Sequence, residues 1–408
     1  MNKESILFLT KDAFCKAYLP CYGNKFYSGK TPNLDELVEK GTLYTNFFTA
    51  APSSAMSYLS MFTRKYPYQQ EMQIYVQLRE DFNGRTLFDD AYDMGYSCHV
   101  LWDAGWMHLA YDFTRCYGKH TEIHNMENWR QPVGSHYKHA GVLQRDDDEA
   151  EKALIRLREE LTKITKGDNK IFLWCHLPHV LKGRTAYGDD IDLYDRYLGV
   201  FRDFFDDSQI FISADHGNMN GLKGKVCYGF YVYDTSICIP LITPRIENVK
   251  VCDKHICNLD VFDLLFNRKC VEREIIFSDS AYYAQPHRKL AVVYGKYRYI
   301  YNKKDASEEL YDIEYDPNQN FNLICDDIYD VDRKVSSPSR EYYFYPRWEE
   351  LPAIRERCRL EKDAIWRDIN PSQKFMIRMM SRLRSNRFIH SILKPLKTKY
   401  INYKVNNK

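Results

Sequence analysis

The chain is 408 residues long, 44% hydrophobic, with a formal net charge of +2. That length and apolar content suit one large domain, or one domain with a smaller C-terminal subdomain. The near-neutral balance gives no global field that would select nucleic acid. Met1-Asn2-Lys3-Glu4-Ser5 leads into only a short apolar run, and no stretch of about 18 apolar residues occurs, so neither a secretory leader nor a membrane span is expected. The 12 cysteines form no CxxC pair, and without an export signal they read as reduced thiols of a cytoplasmic protein.

Ser5-Ile6-Leu7-Phe8-Leu9-Thr10 is an apolar run of buried-strand type ending at Lys11-Asp12. Thr31-Pro32-Asn33-Leu34-Asp35-Glu36-Leu37 has the proline and early acids of a helix start. Thr86 to Met94 reads as a helix, with Gly95 and then a strand from Ser97 to Leu101 behind it. Asp146 to Lys166 carries apolar residues at Ala153, Leu154, Leu157 and Leu161, which predicts a long charged helix. Lys170 to Cys175 is a second buried strand, ending at His176, and Asp192 to Phe205 is a helix. Gln209-Ile210-Phe211-Ile212-Ser213 is a strand ending at Ala214-Asp215-His216-Gly217. Strands alternating with helices predict an α/β fold with a mostly parallel central sheet. From about Ile275 the character changes. Lys289–Tyr294 and Tyr297–Tyr301 flank Gly295-Lys296 as a hairpin, and Glu309-Leu310-Tyr311-Asp312 continues a small antiparallel subdomain. The expected division is 1–274, 275–368 and a basic tail over 369–408; residues 326–360 show no usable period.

Asp12, His176 and Asp215-His216 each fall just beyond a predicted strand, at the edge where open α/β sheets bind ligands. A second feature is the run Ala50-Ala51-Pro52-Ser53-Ser54-Ala55-Met56-Ser57-Tyr58, a small-residue loop feeding an apolar helix. Such a start aims unpaired N–H groups forward, which suits an oxyanion. A serine there can cap the helix, or attack an ester if a metal lowers its pKa.

Thr31-Pro32-Asn33-Leu34-Asp35, Gly41, Asn46-Phe47, Ala50-Ala51-Pro52, Thr63-Arg64-Lys65-Tyr66-Pro67 and Ser213-Ala214-Asp215-His216-Gly217 occur in an order that resembles the sulfatases. Tyr233-Asp234-Thr235-Ser236, Ile239-Pro240-Leu241-Ile242 and Glu309-Leu310-Tyr311-Asp312 extend the likeness over roughly residues 5–325. On these motifs the chain is identified as a member of the sulfatase and alkaline-phosphatase-like superfamily. The resemblance implies an α/β/α sandwich with one or two divalent cations at the strand ends. It makes Asp12 the first metal-binding aspartate, Asp215 and His216 the second acidic ligand and its neighbour, and Ser54 the occupant of the nucleophile slot. It also makes His176 or His179 the histidine facing the leaving group.

The departures bear on the subclass. Sulfatases carry a C/S-x-P/A-x-R frame that is oxidised to formylglycine, whereas this chain has Ser54-Ala55-Met56-Ser57-Tyr58, with neither the small third residue nor the arginine. Leu101 to His108 also lacks the lysine that sulfatases tend to place there. An unmodified hydroxyl with an Asp, Asp, His shell is the pattern of phosphatase-like and headgroup-transferase branches. The expected reaction is therefore metal-dependent hydrolysis or transfer of a phosphate ester, on a small-molecule, glycan or lipid-linked substrate. A sulfatase acting on a sulfated sugar and a degenerate binding member are the alternatives. Two carboxylates and an imidazole suit Ca, Mn, Mg or Zn without choosing among them. Arg115, Lys223 and Lys225 are candidates to hold the ester's non-bridging oxygens.

After Asp368 the chain has no acidic residue, and Phe375, Met376, Met379, Met380 and Leu383 recur at helical spacing among arginines and lysines. The expectation for 371–399 is a basic amphipathic helix that contacts an anionic membrane surface peripherally.

Overall fold

Strands apolar on every residue need cover on both faces, and the computed structural model, which describes residues 2–23, 29–70, 72–74, 77–78, 84–102, 116–126, 147–167, 169–177, 184–219, 221–225, 228–246, 248–280, 288–324 and 345–368, shows how they obtain it. In chain order the strands are β1 (Ile6–Lys11), β2 (Thr42–Phe48), β3 (Met72–Ile74), β4 (Gln77–Leu78), β5 (Ser97–Trp102), β6 (Thr121–Asn125), β7 (Ile171–Leu177), β8 (Ile210–Ala214) and β9 (Cys238–Thr243). They continue with β10 (Val251–Cys252), β11 (Ile256–Cys257), β12 (Ile275–Asp279), β13 (Lys289–Tyr294), β14 (Tyr297–Asn302) and β15 (Glu308–Asp312). The helices are α1 (Pro32–Lys40), α2 (Ser54–Thr63), α3 (Leu87–Asp93), α4 (Asp147–Ile164), α5 (Arg184–Arg202), α6 (Asp234–Ile237), α7 (Val261–Phe266) and α8 (Leu351–Asp368).

The large sheet runs β10-β2-β9-β8-β1-β7-β5-β6, with β11 also on β2. β1 pairs in parallel with both β7 and β8, and β5 with β6 and β7. β9 runs antiparallel to β2 and β8. Pro240 in this central strand has no N–H for the ladder. It sits where the β2–β9 register shifts between Tyr44 and Phe47, as strand prolines do, and its carbonyl instead accepts Ser213 Oγ at 2.9 Å. α1 packs on α5 and α5 on α4, while α2 packs on α3, giving the expected α/β/α arrangement. Beneath α2 the rings of Tyr58, Phe62, Phe88, Trp102 and Trp174 interlock edge to face. All are buried, and each stabilises the fold by roughly 1.5–3 kcal/mol on area alone.

β12-β13-β14-β15 form a separate antiparallel sheet. The hairpin register Tyr294↔Tyr297 leaves Gly295-Lys296 as the turn, and Gly295 has φ +51°. The sheet joins the main body through Asp279 N–H on Ala50 O at 2.9 Å and Arg298 Nε on Asp234 Oδ1 at 2.9 Å.

Several expectations need correction. His176 lies inside β7, paired with Thr10 and Trp102, and not beyond the strand's end. α5 starts at Arg184, ahead of the expected Asp192, and stops at Arg202 before Phe205. In its first turns Gly188, Asp189 and Asp190 break the apolar period. The stretch 326–360, which has no legible period, contains the start of α8, whose charged residues obscure its apolar stripe. The tail over 371–399 lies outside the described residues.

Candidate active site

β1 and β8 are parallel neighbours in register Lys11↔Ala214, so the next residues, Asp12 and Asp215, emerge side by side from the same edge. Ala13 turns the chain back with φ +53°. Its N–H donates to Asp215 Oδ1 at 3.0 Å, and the His216 N–H donates to the same oxygen at 2.7 Å. The Asp215 carbonyl accepts Ser57 Oγ at 2.6 Å. Asp215 Oδ2 is buried and makes no hydrogen bond of good geometry among the described residues. Gly217 is required by packing: a Cβ there would stand 2.0 Å from Thr235 O.

Ser53 occupies the N-cap of α2 without a side-chain capping bond. The capping role open to these serines is thus unused, and the start of the helix keeps its N–H groups facing forward. Ser54 Oγ instead lies 3.0 Å from His216 Nε2. His216 Nδ1 is 2.7 Å from Gly217 O; a carbonyl only accepts, so Nδ1 carries the proton and Nε2 presents its lone pair. That lone pair faces Ser54, Asp12 Oδ1 at 3.7 Å and Asp215 Oδ2 at 3.4 Å. Tyr228 stacks on the imidazole at 4.4 Å. Behind the serine loop, buried Asn258 accepts from Ala50 N–H at 3.0 Å and donates to Ser57 Oγ at 3.0 Å. No sequence signal marks Asn258; a lone asparagine reads as a turn residue.

Burial pushes the Asp215 carboxyl up to about 6, with the charge of Asp12 adding to the effect and His216, Ser54 and the Ala13 N–H opposing it. A cation would reverse that balance. One ligand atom from each of Asp12, Asp215 and His216 falls within 4.8 Å of the others. Two carboxylates, one with a buried oxygen turned toward the His216 lone pair, and that imidazole fit a divalent ion.

A sulfatase family profile matches residues 5–210, half of the chain. The chain belongs to the sulfatase family. It is a sulfatase-family hydrolase of the alkaline-phosphatase-like superfamily, a family of metal-dependent enzymes. No curated protein sequence matches it. Among solved structures it is similar to a 2-O GAG sulfatase at 14% identity and TM-score 0.63, covering 91% of this chain and 94% of that one. It is also similar to a putative sulfatase from Bacteroides thetaiotaomicron at 15% identity and TM-score 0.61, covering 90% and 93%. A phosphonate monoester hydrolase of Agrobacterium radiobacter matches at 14% identity and TM-score 0.59, covering 86% and 95%. At these identities the likeness is one of fold.

Relative to the sulfatase maturation frame, Tyr58 occupies the arginine position. It is fully buried, with its hydroxyl 2.5 Å from His176 Nδ1 and 3.2 Å from Thr10 Oγ1. Trp174 Nε1 donates to that Thr10 hydroxyl at 3.0 Å. His176 is 2% exposed and packs against Tyr58 and Trp102, so its geometry is that of a brace beneath β1 rather than of a group open to a leaving oxygen. Lys223 lies over the rings of Tyr233 and Tyr311 at 4.5 and 4.7 Å, and burial lowers its pKa. Lys225 is exposed, 5.6 Å from the Tyr231 ring. These contacts account for both lysines without a substrate. His179 and Arg115 lie outside the described residues.

Proposed function

We propose that this sulfatase-family enzyme acts on a phosphate ester, with the unmodified Ser54 hydroxyl as nucleophile beside a divalent cation held by Asp12, Asp215 and His216. The observation that carries the reading is the pair formed by Ser54 Oγ and His216 Nε2 at 3.0 Å, in a frame whose arginine position is a tyrosine buried in the core. The bound cation would supply Lewis acidity, lowering the hydroxyl's pKa and offsetting charge on the ester. The Ser54 hydroxyl would give up its proton to solvent, its Oγ would attack phosphorus as the bond to the leaving alcohol oxygen breaks, and water would then cleave the phosphoserine ester, releasing phosphate and restoring the hydroxyl. The forward-facing N–H groups of α2 receive the developing oxyanion charge. His179 is the candidate to protonate the leaving oxygen. An alcohol in place of water would make the reaction a transfer.

Glycans and lipid-linked intermediates are the substrate classes favoured here, and a basic 371–399 segment on an anionic membrane would bring the site to the latter. The protein should be assayed with Mn, Zn or Ca against p-nitrophenyl phosphate, bis-p-nitrophenyl phosphate and p-nitrophenyl sulfate. Metal-dependent cleavage of a phosphate ester, with the Ser54 peptide at its unmodified mass, is the expected result. Sulfate-ester cleavage alone, with a formylglycine mass at Ser54, would replace this reading with that of a sulfated-sugar hydrolase.

A further inference from the structure

At the far edge of the main sheet a second set of metal-binding side chains converges. β5 and β6 pair in parallel with His99 opposite Glu122. Strand periodicity puts Glu122 and His124 on one face of β6, the face that His99 shares. The side chains meet there: His99 Nδ1 is 3.0 Å from His124 Nε2 and 3.7 Å from Glu122 Oε2, and His124 Nε2 is 3.9 Å from Glu122 Oε1. A tetrahedral zinc ion with bonds of about 2.0–2.2 Å separates its ligand atoms by about 3.3 Å. The three separations found here straddle that value, so small side-chain shifts bring all three to an ion.

The remaining ring nitrogens face polar groups, one within hydrogen-bond distance and one a little beyond it. His99 Nε2 lies 2.9 Å from Ser97 Oγ, and His124 Nδ1 lies 3.6 Å from Glu160 Oε2 on α4. Metal-bound histidines are oriented in this way, by a carboxylate or other polar group on the nitrogen that does not bind the ion. The histidines are nearly buried, with side-chain exposures of 9% and 10%, while Glu122 is 67% exposed and leaves an entry path. β5 is two strands from β1 and three from β8, roughly 10–15 Å at sheet spacing. An ion here is therefore too far from Ser54 to share in a two-metal centre, whose ions lie about 3.5–4 Å apart.

We propose that His99, Glu122 and His124 form a second metal site, of zinc type, with water as the fourth ligand and Ser97 and Glu160 as outer partners. Paired imidazoles with one carboxylate select zinc over magnesium or calcium. The ion would tie β6, the last strand of the sheet among the described residues, to β5, with Glu160 of α4 as outer partner.

The test is equilibrium dialysis of the metal-stripped full chain against zinc, with metal counted by mass spectrometry. Asp215→Asn should retain one equivalent of zinc, and adding Glu122→Ala or His124→Gln to it should remove that equivalent or weaken it 10- to 100-fold. Glu122 is exposed, so its replacement does not put folding at issue. Zinc should also raise the melting temperature of Asp215→Asn but not of Asp215→Asn/Glu122→Ala. If Asp215→Asn binds no zinc at micromolar concentration, or the double variants bind it as tightly as Asp215→Asn does, the proposal fails. His124→Gln alone separates the two sites: one equivalent retained supports the Ser54 site as a metal centre, and none retained assigns all bound zinc to the sheet edge.

Discussion

The Ser54 corner and the four-stranded sheet both bury charge, and they treat it in opposite ways. In and beside the four-stranded sheet, buried and half-buried acids are paired with cations. Arg288 Nε donates to Asp279 at 2.8 Å, and Arg298 bonds Asp234. Glu308 receives Arg355 Nε and Arg359 Nε at 2.7 Å each and the Tyr299 hydroxyl at 2.7 Å. Burial alone would raise the Glu308 carboxyl; the bonds from Arg359, Tyr299 and Arg355 outweigh it and hold it down at about 2. At the Ser54 corner Asp12 and Asp215 both face His216, and burial lifts Asp215 to about 6. Paired charge supports the fold, whereas the arrangement at the corner is favourable only when something positive arrives.

Replacement of the nucleophile gives the largest effect. Ser54→Ala should lower turnover by at least about a thousandfold, the scale expected when a covalent route is lost, while metal binding measured by calorimetry stays largely intact. Unchanged turnover would remove Ser54 from the mechanism.

Asp215→Asn sharpens the contrast, because it should abolish metal binding at this corner yet leave the metal-free fold as stable as before, or more so. The sign follows from the shift. The folded carboxyl titrates near 6 and the ordinary one near 3.8, so the native state binds the proton more tightly. Stability of the chelated protein should then fall as pH rises from about 4 through 6, because ionised Asp215 is buried against Asp12. Melting temperatures across that range should show the trend in the parent and lose it in the variant. Added metal should stabilise the parent most at pH 7 and above, where no proton competes for the carboxylate.

Glu308→Gln should do the reverse. Loss of a carboxylate held by two arginines and a tyrosine should cost about 2–3 kcal/mol at neutral pH, the scale of charged hydrogen bonds, with turnover unaffected. Glu308 binds protons more weakly when folded, at about 2 against the ordinary 4.5. Its contribution is present above 4.5 and disappears as pH falls towards 2, so the variant should lose that acid limb of the stability profile. Equal acid limbs in parent and variant would break the comparison between the two regions.

The smallest effect is expected from the tail. A chain ending at Asn370 should keep its turnover on soluble esters and should fail to float with anionic liposomes, whereas the full chain should float with them. Equal flotation of both would sink the membrane role of 371–399.

Much of this was legible in the sequence because it is local. Apolar runs marked β1, β7 and β8, Gly295-Lys296 marked the hairpin, and the order of short motifs identified the family, since strand burial and turn geometry act on a few adjacent residues. β9 was not legible as a strand because Pro240 argues against one until a partner strand supplies the bulge. The charges of α8 hid its apolar stripe in the same way. Asp12, Asp215 and His216 could be named from the sequence, as could Ser54, but residues 162 positions apart meet only through the register of β1 on β8 and the entry of α2. Tertiary structure alone decided that His176 faces inward onto Tyr58, that Asn258 supports the serine loop, and that His99 meets Glu122 and His124. A side chain's chemistry comes with its residue type; the field, burial and partners that determine its role come from whatever the fold places against it.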